Sequence, residues 1–161
     1  MAQSVIDISA ALKELEGLKK QAPQLVIQAL ETACVQVITK AREQGLGQAS
    51  RATRKKGEKK QFWEDDTHRL RSSLGYVVYH NGVEVASNFQ STGGSAGGEG
   101  VQIGYAVAKE EAAKYPGIVA VVVAGADYAS YVEAKGYDVL TGSALQLQTL
   151  FEAELRNLQL I

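Results

Sequence analysis

Apolar positions in the first third of the chain recur at helical intervals. Leu12, Leu15 and Leu18 fall near one face, and Leu30, Cys34, Val37 and Ala41 repeat at spacings of four, three and four, which predicts helix over residues 5–44. Gly17 lowers helix propensity and Pro23 has no backbone N–H to donate. The pattern therefore predicts two helices, with Pro23 in the first turn of the second and Gly45 and Gly47 stopping it after Gln44. Cys34 lies on the apolar stripe and reads as a small core residue, since no basic neighbour at helical spacing would lower its pKa.

The periodicity then breaks. Residues 45–61 have no apolar repeat and carry six cations, Arg51, Arg54, Lys55, Lys56, Lys59 and Lys60, which predicts a long flexible loop. Phe62-Trp63 beyond it reads either as an anchor returning the chain to the core or as an exposed interface anchor. Two β-like runs flank Asn81-Gly82, the dipeptide best suited to a type I′ turn, so a β-hairpin is expected over residues 74–90. Ser91–Gly100 holds five glycines in ten residues and no bulky apolar side chain, and reads as a second flexible loop.

Further on, Ala106–Tyr115 reads as a helix ended by Tyr115-Pro116-Gly117. Ile118–Ala124 is almost wholly apolar and β-branched, which suits a strand covered on both faces and placed centrally. Tyr128–Ala134 reads as a short helix or turn. Ser143 is the expected N-cap of a closing helix to about Leu158, with Leu147, Leu150, Phe151 and Leu155 on its apolar side. The elements assemble into one α+β domain over residues 1–161. Its expected form is an antiparallel or mixed central sheet, with a long N-terminal helix and a C-terminal helix packed on it, helical stripes covering one sheet face, and two long flexible loops.

Composition narrows the classes. A chain of 161 residues that is 45% hydrophobic, with Cys34 its only cysteine, is neither a disordered protein nor a disulfide-built miniprotein. The first residues lack a basic start and an apolar core, and the longest apolar run, Ile118–Ala124, is too short to span a bilayer. A soluble chain without signal peptide or membrane span is expected. The formal net charge of −1 conceals a split: residues 40–71 carry ten Lys/Arg against five Asp/Glu, whereas the remainder carries seven against thirteen. A basic middle with acidic flanks suits association with copies of itself or with a complementary partner.

Candidate chemistry is sparse. The glycine stretch lacks a following Gly-Lys-Ser/Thr, and Gly98-Glu99-Gly100 with Ile103 where a third glycine belongs breaks the dinucleotide fingerprint. Glu64, Asp65, Asp66 and His68 form the one acidic cluster with an imidazole, which would suit a metal-dependent hydrolase only if the oxygen ligands converge on an ion. No nucleophile elbow is present, so no catalytic residue, metal ligand or cofactor is assigned. The cationic loop has enough charge for a salt-sensitive phosphate contact but lacks interleaved aromatics, leaving a solvated loop and a nucleic-acid contact both open.

Three segments, taken in order, resemble the tail-completion or head-to-tail joining (neck) proteins of long-tailed bacteriophages and prophages. The first is Ile8–Ala41, with a leucine-bearing helix, Pro23 and a helix ending in Lys40-Ala41. The second, Thr67-His68-Arg69-Leu70-Arg71-Ser72-Ser73-Leu74 before a strand, is similar to the family's Thr-Gly-x-Leu-(basic)-x-Ser-Ile segment. The third, Ala126-Asp127-Tyr128-Ala129-Ser130-Tyr131-Val132-Glu133, is similar to its Tyr-Ala-x-Tyr-Val-Glu signature after a strand. His68 stands where the family has glycine. Ala134-Lys135-Gly136-Tyr137 replaces its Gly-Thr, and Val139-Leu-Thr-Gly-Ser-Ala its Pro-Phe-Leu-x-Pro-Ala.

The resemblance implies a virion protein without catalytic activity, assembled in the host cytoplasm and placed at the neck. There it would form a six- or twelvefold ring of identical subunits between head connector and tail tube, with DNA passing through the channel. It makes Thr67, Leu70, Ser73, Tyr128, Ala129, Tyr131 and Glu133 structural positions. The basic loop and the glycine loop, with Gly93, Gly94, Gly97 and Gly98, become the elements that meet neighbours. A small nucleic-acid-binding module using the basic loop is the first alternative, and a metal-dependent hydrolase around Glu64–His68 the second.

Overall fold

The computed structural model describes residues 9–46 and 63–161. Helix α1 runs without interruption from Ser9 to Gln44, 36 residues, with Pro23 inside it. The two helices expected from Pro23 are therefore one. A single proline removes one i→i−4 hydrogen bond, and the turns on either side still hold theirs. Pro23 also stands close to where the helix meets the body. Leu15 to Gln21 are exposed, whereas Ala29, Ala33, Cys34, Val37, Ile38 and Ala41 form a buried stripe. Cys34 is fully buried, as expected, and burial, then the Glu31 carboxylate, pushes its thiol up to about 12.

Helix α1 stops at Gln44, before Gly45 as anticipated. The next residues are not loop: β1, Gly45–Leu46, pairs in parallel with β2, Trp63–Glu64. Trp63 is buried in the core, the first of its two readings. The six cations Arg51, Arg54, Lys55, Lys56, Lys59 and Lys60 lie outside the described residues, as does the rest of the expected basic loop.

The chain continues through α2, Arg69–Ser73, into a three-stranded antiparallel sheet made of β3, Leu74–His80, β4, Val83–Phe89, and β5, Ile118–Ala124. The hairpin forms where Asn81-Gly82 predicts it, with both turn residues at positive φ, 51° and 79°, as a type I′ turn requires. Strand order is β4-β3-β5, so β3 is central and the expected central strand, Ile118–Ala124, lies at an edge. An apolar run records that both faces are covered, which is true of β5, and is silent about lateral neighbours. Ala120, Val122 and Ala124 pack on the core beneath α1, and Val121 on the opposite core, to which Val123 belongs.

Both sheet faces carry a helix, where one covered face was expected. Leu74, Tyr76 and Val78 of β3 join Cys34, Ile38 and Ala41 of α1 in one core; Val77 and Tyr79 join Ala108 and Ala112 of α3, Gly97–Ala112, in the other. Helix α3 starts inside the stretch expected to be a flexible loop. Its residues Gly97, Gly100, Gly104, Ala108 and Ala112 form a buried strip of small side chains, and the glycine density marks a packing surface.

The chain closes with α4, Ala129–Ala134, α5, Thr141–Ala144, and α6, Leu147–Asn157. Ser143 is not the N-cap of the closing helix: it is buried within α5, and α6 starts after Gln146. Helix α6 lies along α1, with Leu147, Leu150, Phe151 and Leu155 half-buried. At that contact Gln36 Nε2 donates to Glu154 Oε1 at 3.2 Å, and Lys40 Nζ to Gln146 Oε1 at 2.8 Å. Among the described residues no helix is long and apolar enough to cross a membrane.

Candidate functional site

Two of the segments singled out in the sequence meet in space. Helix α2 carries the first, the β5–α4 turn the second, and the N-terminal half of α3 closes over both.

Asp65 and His68 start α2. The buried Asp65 carboxylate accepts the Arg71 backbone N–H at 2.7 Å, satisfying a donor that a helix this short leaves unpaired. His68 is the N-cap and adopts a left-handed backbone, φ 59°, ψ 15°. That conformation is one a glycine takes without strain. Its Nδ1 lies 3.1 Å from Thr92 Oγ1, which is also 3.1 Å from Ser72 Oγ. The acidic run with its imidazole thus holds α2 and the segment before α3. Among the described residues no group of three or more His, Cys, Asp or Glu could hold a metal.

Ser73 ties the two segments together from the interior. Its buried Oγ donates to Leu70 O at 2.8 Å and accepts the Ala126 N–H at 3.0 Å, while its carbonyl accepts the Gly125 N–H at 3.1 Å. At the surface Arg69 repeats the link. Its Nη1 donates to Asp127 Oδ1 at 3.0 Å, its Nε lies 3.1 Å from Glu99 Oε1, and its guanidinium stands 5.7 Å from the centre of the Tyr128 ring. Burial, then Asp65, raises the Tyr128 phenol above its usual value. The glycines of α3 permit this approach: a Cβ at Gly100 would strike the Arg69 carbonyl oxygen, and one at Gly104 the Ser73 carbonyl oxygen.

The remaining motif positions divide. Leu70 and Ala129 are buried and Tyr128 is half-buried. Thr67 is exposed, but its carbonyl accepts the Ala96 N–H at 3.0 Å. Burial alone would raise the Glu133 carboxyl, yet hydrogen bonds from Leu140 and Thr141 hold it below its ordinary value. Oε1 accepts the Leu140 and Thr141 N–H groups, each at 2.9 Å, and Oε2 the Thr141 hydroxyl at 2.8 Å. Tyr131 departs from the expected packing role. It is 63% exposed, with the Lys135 ammonium 5.0 Å from its ring centre. Of the four glycines expected in a contact loop, Gly93 and Gly94 form an exposed left-handed turn and Gly98 is exposed. Gly97 is buried beside Ser91 and Ser72.

Sequence reading missed the Arg69 hub. Arg69 fell within a quoted segment, but Asp127 is 58 residues away and Glu99 lay in a stretch taken for loop, so nothing local paired them. Comparison of the chain with family models, with curated proteins and with solved structures gives no match.

Proposed function

We propose that this chain is a non-enzymatic, ring-forming subunit of a bacteriophage or prophage neck, a head-tail joining or tail-completion protein lying between head connector and tail tube. The observation that carries the reading is the left-handed His68, at the position where the resembled family has glycine. A backbone that favours glycine there is what the family's Thr-Gly-x-Leu segment would need. Its support is the junction itself: the second and third of the segments that carry the resemblance are joined through Ser73 and Ala126, and through Arg69 and Asp127. A subunit that builds a ring also needs surface for its neighbours. Leu15 and Leu18, exposed on the first turns of α1, together with exposed Tyr131, offer it.

Electron microscopy of the purified full chain tests the proposal, together with its location in particles. Six- or twelvefold rings, or density for the chain at the neck, are expected. A strictly monomeric protein absent from virions would overturn it.

A further inference from the structure

At the C-terminal end of α1 a pair of arginines is set apart from the Arg69 hub. Arg42 and Arg71, from α1 and α2, line one cleft of about 530 Å³ together with Thr39, Glu43 and Thr92. Arg42 Nη2 donates to the Leu74 carbonyl at 2.7 Å, which fixes its guanidinium against the start of β3. Among the described residues neither Arg42 Nε nor Arg71 Nε, both buried, has a hydrogen-bond partner. Two half-buried like charges facing one cleft are unfavourable unless an anion joins them.

The carboxylates nearby compensate only part of that charge. Asp65 favours the charged form of Arg71, though burial outweighs it, and its Oδ2 also accepts the Arg71 backbone N–H; Glu43, on the cleft wall, is exposed. Burial, then Arg71, lowers the Arg42 pKa, and burial, opposed by Asp65, lowers that of Arg71. Planar guanidiniums paired across a cleft suit the oxygens of a tetrahedral anion, with the Thr39 hydroxyl as a further donor.

We propose that the Arg42–Arg71 cleft binds a phosphate-class oxyanion. The inference does not depend on the ring reading. Free phosphate and the phosphate of a nucleic-acid backbone present the same chemistry, and the test separates them. Thermal unfolding of the full chain is followed with increasing inorganic phosphate against sodium chloride at matched ionic strength, then with a short DNA duplex competing. Phosphate should raise the melting temperature beyond the chloride control. Arg71→Gln should weaken the apparent phosphate affinity about tenfold or more, as the loss of a charge-assisted hydrogen bond does. Thr39→Glu, which places a carboxylate in the cleft without touching either arginine, should do the same, and it decides the matter alone if Arg71→Gln does not fold. Competition by the duplex assigns the site to backbone phosphate; its absence assigns it to the free ion. A phosphate effect no larger than that of chloride, or equal in parent and variants, would overturn the proposal.

Discussion

Replacing Gly100 by alanine sets two effects of opposite sign against each other. In an unstrained helix interior, glycine to alanine stabilises by about 0.5–1 kcal/mol, because glycine loses more backbone entropy on folding. At Gly100 the new methyl group would overlap the Arg69 carbonyl oxygen and stand 3.0 Å from the Arg69 carbonyl carbon and 3.1 Å from Ser72 Cβ. The first two are backbone atoms of α2 and cannot swing aside, so α3 must retreat from the Arg69 hub. Overpacking of this kind costs about 1–3 kcal/mol, and a backbone collision belongs at the upper end. The expected result for Gly100→Ala is a net loss of about 2 kcal/mol. Gly98, in the same helix, is exposed with no atom within 4 Å of its added Cβ. Gly98→Ala should therefore be neutral or stabilise by up to about 1 kcal/mol. Urea unfolding reads both as shifts of midpoint at constant slope. If Gly100→Ala proves as stable as Gly98→Ala, α3 does not lie against α2 as described.

Three further outcomes are expected. Ser73→Ala leaves the Ala126 N–H without its acceptor and should destabilise by about 1–3 kcal/mol in the same unfolding assay, whereas a change below about 0.5 kcal/mol would deny Ser73 its linking role. His68→Gly relieves a left-handed residue and should stabilise by about 1 kcal/mol despite the lost Thr92 contact; destabilisation would contradict the conformation assigned to the α2 N-cap. The Cys34 thiol, raised to about 12, should resist a thiol reagent at pH 8 until the chain is unfolded, and fast labelling of native protein would refute its burial. Because its folded pKa lies above the unfolded one, the stability it contributes is complete below the ordinary thiol pKa and declines as pH rises from there towards 12.

Much of the local structure was legible one segment at a time. The turn at Asn81-Gly82 depends on backbone angles that those two residues adopt readily, so the hairpin could be read without knowing what packs on it. The buried stripe of α1 and the apolar run of β5 were legible for a similar reason, since periodicity records which positions are covered. Pro23 misled because a proline's local penalty is fixed, whereas its outcome depends on whether the surrounding turns persist.

Tertiary contacts decided the rest. The same apolar run suits a central strand or an edge strand enclosed by helices, and β3 takes the centre because it pairs with both β4 and β5. Glycines in a polar context read as flexible until a partner backbone approaches within contact distance. Gly97, Gly100 and Gly104 become a packing strip only because α2, Ser91 and Phe89 at the end of β4 lie against them. Arg69 likewise acquired its role from Glu99 and Asp127, residues remote in the chain and adjacent in the fold. Local propensity acts through neighbours a few residues away, whereas strand order, close helix contact and ion pairing arise from long-range packing, which no short window of sequence contains.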